Sequence, residues 1–436
     1  MAITTRAILR QKLSELIGDY QSLTTSGTGS STTIVDTDLA GLTGGGDTDA
    51  FLNFWAMMTS GAASGEWRRV SAYNSSTTTL TVASAFSATT GNLSTFELHR
   101  FEPADLHAAL QRAAEELFPF LYLPIRSEVL VVDSWLLNSD FQTGTFTNWT
   151  QVGAGAAFTA ETTIKIQGSQ SAKIVAGGGA AGQLTQAPHI AVQEMTGKTA
   201  TLKCWVYATA ASTARIRLDW DGANFANSSY HTGADQWELL SISAAIPATA
   251  TQVKAICEVA ASGTGYFDAA YLTIDGAPIN RYTLPTSILV GPHYVSEQYS
   301  ENHLDGPYYP MRNRPITGRR IRLEGMGNLT IPATDTATIE VGVPRTDLVV
   351  TVAAGKLMRM LASRAGSQDR TRYLDEAVRF AVDAEALKRQ PGVRMPRLGV
   401  KAQPQIWHIE EDADGRYLVL DRQRAGAAGI GFSTLF

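Results

Sequence analysis

Side chains able to do chemistry are spread thinly over these 436 residues. No HExxH, GxSxG or GxxxxGK[ST] pattern occurs, so the helical zinc pair, the nucleophile elbow and the phosphate loop are all missing. The glycine-rich runs LTGGGDTD and VAGGGAAGQL lack the lysine and the following Ser or Thr of a phosphate cradle. Asp412-Ala413-Asp414-Gly415 looks like the start of a calcium loop, but no Glu stands at the twelfth position, and the spacing suits a hairpin turn. The seven histidines fall at no metal-ligand spacing. Carboxylates are many, yet an acid pair for glycoside hydrolysis is defined by separation in space, which sequence spacing does not supply. These patterns imply no catalytic residue, no metal centre and no cofactor, and the expectation is a protein that is not an enzyme.

Composition narrows the class further. Hydrophobic residues make up 44% and charged residues 18% of the chain, enough for packed cores under a surface rich in Ser, Thr, Ala and Gly. The length suits two or three domains. The net charge of −5 argues against a basic grip on nucleic acid. Cys204 and Cys257 make no disulfide framework and read as small buried apolar groups. No run approaches the ~20 apolar residues of a membrane span, and MAITTRAILRQKLSELIGDY lacks a signal-peptide core, so a soluble protein made in a reducing cytoplasm is expected.

The elements that would position any site change character along the chain. Residues 3–18 read as an amphipathic helix with Ile8, Leu9, Leu13, Leu16 and Ile17 on one side. From Ser22 to Arg100 the chain is Thr/Ser-rich, with strands such as STTIV, GEWRRVSAY and TTLTV. A helix over 103–122 follows, starting at Pro103, carrying Leu106, Leu110, Ala113, Leu117 and Leu121, and ending at Pro124. Beyond Pro344 an αα-hairpin is predicted over 347–390, capped by Asp347 and Asp369 and punctuated by Gly366 and Pro391-Gly392. Leu374, Val378, Ala381, Ala384 and Leu387 form the apolar line of its second helix. QIWHIEEDADGRYLVLDRQ gives a β-hairpin over 405–421, and residues 424–436 read as an extended C-terminal arm.

Between Asp133 and Gly276 the texture is wholly β. The stretch opens on NSDFQTGTFTNWT, continues through GSQSAKI and TLKCWVYATAASTARIRLDWDG, and closes on DQWELL and GTGYFDAAYL. This order resembles the jelly rolls of carbohydrate-binding modules related to galactose-binding domains. The resemblance implies two antiparallel sheets face to face, with Val206, Ile216, Leu218, Leu239 and Ile242 pointing inward. It also implies a structural calcium, for which Asn138 and Asp268 are candidate ligands. Gln142 stands where the family often has a glutamate, and a neutral amide is a poorer ligand for a hard cation. Sugar binding in such modules uses exposed aromatic faces, here Trp220, Tyr230 and Trp237, with Asp219, Asp221 and Asn224 to bond hydroxyls. The competing reading makes Trp149, Trp205 and Trp237 core aromatics.

The flanking body, 1–132 and 277–423, then carries residues 133–276 as an insertion. Its short N-terminal helix, the stretch SGAASGEWRRVSAYNSSTTTLTV, the helix in RFEPADLHAALQRAAEEL and the late helical hairpin resemble neck proteins of tailed bacteriophages. The whole is therefore an α+β, multidomain chain. The resemblance implies a virion protein assembled in the host cytoplasm, in a self-associated, dodecameric ring beneath the portal protein and beside other neck or tail proteins. DNA would pass through its lumen without specific binding, and no membrane is involved. Ring closure needs two complementary faces per subunit. Asp369, Arg370, Arg372, Asp375, Glu376, Arg379, Asp383, Glu385 and Lys388 offer one. Two rivals stand beside this: a tail or receptor-binding virion protein recognising host surface glycans, and a secreted polysaccharide-active enzyme. A tail fibre would carry shaft repeats or heptads, and such an enzyme a signal peptide and a catalytic cleft; none of these is visible.

Overall fold

The computed structural model describes residues 4–42, 47–142, 146–166, 168–298, 308–310, 315–339, 341–395, 407–413 and 415–420. The predicted arm at 424–436 lies outside them. Chain contacts divide the molecule into two units, Met1–Leu123 with Gly327–Arg397, and Pro124–Met326 with Leu398–Phe436. The expected second body segment, 277–423, is thus shared between the units. Most of the described structure is β, in several antiparallel sheets.

In the first unit, helix α1 (Arg6–Leu16) starts at Thr5, whose hydroxyl accepts the Ile8 N–H and satisfies one of the free donors of the first turn. Helix α2 (Pro103–Glu116) has proline in its first turn, where no N–H is needed. It stops well short of the expected residue 122. Pro119 lacks an amide hydrogen and disfavours helical geometry at Phe118, which ends the helix one turn earlier than Pro124 would.

Helices α3 (Arg345–Arg364) and α4 (Ser367–Lys388) begin before their expected caps. Asp347 and Asp369 sit inside the first turns, where a carboxylate still favours the positive end of the helix. Leu9, Leu13, Leu106, Leu110, Leu348, Val349, Leu357 and Phe380 meet in one core. A second core, including Ile34, Ala56, Val70, Leu80, Phe96 and Leu98, fills a seven-stranded sheet over Gln21–His99. The strands read as STTIV, GEWRRVSAY and TTLTV lie in it at Thr33–Val35, Trp67–Asn74 and Thr79–Val82.

The apolar line expected for α4 is only partly the line it buries: Ala384 and Leu387 lie on the packed side, whereas Leu374, Val378 and Ala381 are exposed. Ala377, Phe380 and Ala384 pack inward, with Tyr373 and Leu387 half-buried beside them. Leu374, Val378 and Val382 are 42%, 62% and 64% exposed. Residues 374, 378 and 382 recur every fourth position, so the helix carries two apolar lines and only one meets α3.

The second unit contains a ten-stranded sandwich: β1 (Thr150–Val152), β2 (Ala157–Glu161), β3 (Ser171–Val175), β4 (Gly182–Gln186), β5 (Thr199–Tyr207), β6 (Ala214–Asp219), β7 (Phe225–Asn227), β8 (Trp237–Ala245), β9 (Lys254–Val259) and β10 (Thr264–Ile274). They form two antiparallel sheets, β1-β4-β9-β6-β7 and β2-β3-β10-β5-β8. Their facing sides share one core, which includes Phe141, Phe146, Trp149, Leu202, Val206, Ile216, Leu218, Ile242, Leu272, Cys204 and Cys257. Both cysteines are free and buried. Leu239 departs from expectation. Leu240 and Ile242 take the inward positions of β8, and the two-residue period turns Leu239 to the outer side.

Smaller sheets complete this unit. Arg281–Thr283 pairs with the hairpin Trp407–Asp412 and Gly415–Leu420, the β-hairpin expected over 405–421. Asp133 lies between the sandwich and these strands. Its carboxylate accepts Ile279 N–H at 2.8 Å and the Thr317 hydroxyl at 2.7 Å, and its own N–H donates to the Tyr282 hydroxyl at 2.9 Å.

Candidate functional site

The outer side of the β1-β4-β9-β6-β7 sheet gathers the most functional side chains of the sandwich. Alternation along β6 sends Ile216 and Leu218 into the core and Arg215, Arg217 and Asp219 outward. Strand register then lines up rows across the sheet. Gln183, Glu258 and Arg215 make one, Thr185, Ile256, Arg217 and Asn227 the next, and Lys254, Asp219 and Phe225 the third.

Glu258, 4% exposed, is the hub of this face. Its Oε1 accepts Arg215 Nε at 2.6 Å and Nη2 at 2.5 Å. Its Oε2 accepts Gln183 Nε2 at 2.7 Å and Arg217 Nη1 at 3.2 Å. The Arg217 guanidinium lies 3.5 Å from the centre of the Phe225 ring, and that of Arg215 lies 4.6 Å from the centre of Tyr230. Each such cation–ring pair contributes about 0.5–1 kcal/mol where water still reaches it. Phe225 is 41% exposed. The face thus offers flat aromatic surface beside planar, positioned hydrogen-bond donors.

The six residues expected to contact sugar do not form one site. Tyr230 belongs to the face just described. Asp221 and Asn224 hold the β6–β7 turn: Asp221 Oδ1 accepts the Ala223 and Asn224 N–H groups at 2.8 and 2.5 Å, and Asn224 Nδ2 donates to Asp221 Oδ2 at 2.5 Å. Those bonds also hold the Asp221 carboxyl below its ordinary range, with the Asn224 side chain as the largest cause. Asp219, likewise offered for hydroxyls, accepts Asp221 N–H, Gly222 N–H and Gln252 Nε2. Trp220 is half-buried against the sandwich core. Trp237 lies on the opposite sheet, 5.7 Å from Tyr207 between ring centres, and Tyr207 lies 5.4 Å from Tyr266. Trp205 and Trp237 are both half-buried, whereas Trp149 is a core residue.

The loop expected to hold calcium is closed by protein groups instead. Gln142 Nε2 donates to the carbonyls of Asp140 at 2.7 Å and Gln170 at 2.9 Å. Gln142 Oε1 accepts Ser169 N–H at 2.6 Å and the Ser169 hydroxyl at 2.8 Å. A Cβ on Gly168, whose φ is +64°, would stand 2.3 Å from that Oε1, so the loop is shaped around the carboxamide. Of the two candidate ligands, Asn138 Nδ2 donates to the Thr147 carbonyl, and the buried Asp268 accepts Ile166 N–H. Burial pushes the Asp140 carboxyl above its ordinary range, although Arg320 opposes this. Among the described residues no three His, Cys, Asp or Glu side chains converge as a ligand set. Among the described residues of this loop, the Gln142 carboxamide occupies the carbonyls and amides with hydrogen bonds, where a carboxylate would be needed to favour a calcium ion.

The first unit holds a buried polar network that no sequence motif announces. Arg10, fully buried, donates through Nε to Glu97 Oε2 at 2.8 Å, through Nη2 to Glu97 Oε1 at 3.2 Å and through Nη1 to Asp335 Oδ2 at 2.7 Å. His99 Nε2 lies 3.0 Å from Glu97 Oε2, and its Nδ1 lies 3.3 Å from the Ser14 hydroxyl and 3.6 Å from Asp19 Oδ2. Serine, histidine and carboxylate therefore stand in relay order. Ser14 and His99 are completely buried, however, and both oxygens of Glu97 are taken by Arg10, so the arrangement presents no nucleophile to a substrate. Burial alone would lower the pKa of His99, but Asp19 and Glu97 outweigh it and raise it. Burial pushes His107 down to about 4, helped by Arg6 and Arg10.

No helix among the described residues is long and apolar enough to cross a membrane. No protein-family model matches the chain, and no curated protein does. Among solved structures, the enzymatically active domain of tailspike protein 4 from bacteriophage CBA120 is 15% identical, with a TM-score of 0.28, over 33% of this chain and 21% of that one. TmCBM61 in complex with β-1,4-galactotriose is 20% identical, with a TM-score of 0.26, over 32% of this chain and 97% of that one. The C-terminal family 22 carbohydrate binding module of a Clostridium thermocellum protein is 18% identical, with a TM-score of 0.27, over 34% and 98%. The chain matches 21% of the length of the tailspike domain.

Proposed function

We propose that this chain is a virion protein of a tailed bacteriophage whose sandwich recognises host surface glycan, and that it is not an enzyme. The observation that carries the recognition is the face around Glu258, where Arg215 and Arg217 are fixed over Tyr230 and Phe225. A pyranose ring presents apolar C–H patches and a rim of hydroxyls, and this face offers the matching partners, aromatic surface and oriented donors. The virion assignment is supported by the order of motifs in the flanking body. Repeated copies on a particle would multiply weak single contacts. A glycan array probed with the intact protein tests this. Binding should fall sharply in Phe225→Ala, while Asp221→Ala, which loosens a turn, should cost less. An array with no binder would sink the recognition reading.

A second reading keeps the chain at the head–tail junction, as a ring-forming adaptor beneath the portal. It is favoured by the exposed line Leu374, Val378 and Val382 on α4, an apolar stripe of the kind that subunit contacts cover. Electron microscopy of the assembled particle separates the two: a closed ring at the neck supports the adaptor, and a trimer at the tail tip rules it out.

A further inference from the structure

The donor-rich chemistry of the Glu258 face points to one ligand class. Within its strands the face carries Arg215, Arg217 and Lys254 against Glu258 and Asp219, in a chain whose net charge is −5. Lys254 stands directly across from Asp219, which leaves two guanidiniums sharing one carboxylate. That carboxylate has little acceptor capacity left, since each of its oxygens already takes two N–H groups. Neutral sugars need acceptors and donors in similar measure, because every hydroxyl is both. A carboxylate on a sugar needs only donors, and a guanidinium edge matches it in shape as well as charge. Phe225 and Tyr230 hold the two guanidinium planes in place, so fewer side-chain rotations are lost on binding.

We infer that this face takes an acidic polysaccharide, with a uronate carboxylate set against Arg217 and Arg215 and its ring lying toward Phe225. Glu258 then acts as a positioning residue for the arginines and not as a contact to the sugar. The inference rests on the glycan-recognition reading, and it fixes the ligand's charge.

Equilibrium binding of the full chain to polygalacturonate, to the same polymer fully methyl-esterified, to neutral xylan and to dextran sulfate tests it. Polygalacturonate should bind roughly tenfold or more tighter than its ester, the worth of one hydrogen bond to a charged group. Added salt should weaken that preference. Arg217→Gln should abolish it, with an unchanged circular dichroism spectrum showing that the fold is kept. Glu258→Gln should weaken uronate binding, but less than Arg217→Gln does, because it loosens the two guanidiniums without removing either. Equal binding to the ester, or to xylan, overturns the inference while leaving glycan recognition in place. Tighter binding to dextran sulfate that Arg217→Gln does not alter marks unspecific charge attraction and overturns it too. Failure to bind any of the four polymers removes both.

Discussion

Replacing Gln142 tests whether a side-chain amide has taken over the work of a cation. The carboxamide makes four hydrogen bonds that tie Asp140 to Ser169 and Gln170. Each is worth about 0.5–1.5 kcal/mol net, and the side chain is half-buried, so water can reach some of the groups left behind. Gln142→Ala should therefore cost about 2 kcal/mol, which for a unit of this size lowers the midpoint by about 4–8 °C. The assay is thermal unfolding of the intact protein, once in EDTA and once in millimolar calcium. The wild type should melt at the same temperature in both. Gln142→Glu should be weakened in EDTA, because a carboxylate cannot donate to the Asp140 and Gln170 carbonyls and instead faces their oxygens. Calcium should restore it, since those oxygens and the carboxylate then suit a hard cation. A wild-type midpoint that drops in EDTA, or a Gln142→Ala protein as stable as the parent, would refute the reasoning.

Three further outcomes are expected. Arg10→Ala leaves Glu97 and Asp335 without their shared cation and should destabilise the first unit by about 3–5 kcal/mol in urea titration. His99 has a folded pKa raised above its ordinary 6.5, so its stabilisation is full below that value and is lost as pH rises through the folded pKa. Urea midpoints measured upward from pH 6.5 should fall in the wild type and stay flat in His99→Gln. On α4, Val378→Glu with Val382→Glu should change monomer stability by less than about 0.5 kcal/mol, while Phe380→Ala costs about 3–5 kcal/mol. If the stripe is a subunit contact, only the glutamate pair should dissociate an assembly, as read by light scattering.

Much of the sandwich was legible because β5 alternates without a break, Leu202, Cys204 and Val206 inward against Lys203, Trp205 and Tyr207 outward. Leu239 was misplaced because Leu239 and Leu240 adjoin, and adjacent leucines leave the phase of a strand undetermined. On α4 the same ambiguity arose at helical period, since two apolar lines were available and the sequence does not say which one α3 covers. The charged face was missed for a different reason. Arg215, Arg217 and Glu258 each read as ordinary solvent-facing residues along their own strands, and what joins them is the register of β6 against β9, a long-range property. The calcium loop was half legible: Gln142 signalled a weak ligand, but its four bonds depend on a segment nearly thirty residues away.

The anchoring of Asp133 sets where mechanical load travels. The chain enters the sandwich after Asp133 and leaves it near Ala277, and the two ends are fastened to each other: Trp135 Nε1 donates to the Ala277 carbonyl at 3.1 Å, and Asp133 accepts Ile279 N–H. Val132 also exchanges main-chain bonds with Gly318 and Arg319. A pull transmitted from Leu123–Val131 to Arg281–Thr283 would therefore cross this short clasp and bypass the ten strands beyond it. Strain carried along those strands is therefore borne at the clasp, and the ten strands of the sandwich lie outside its path.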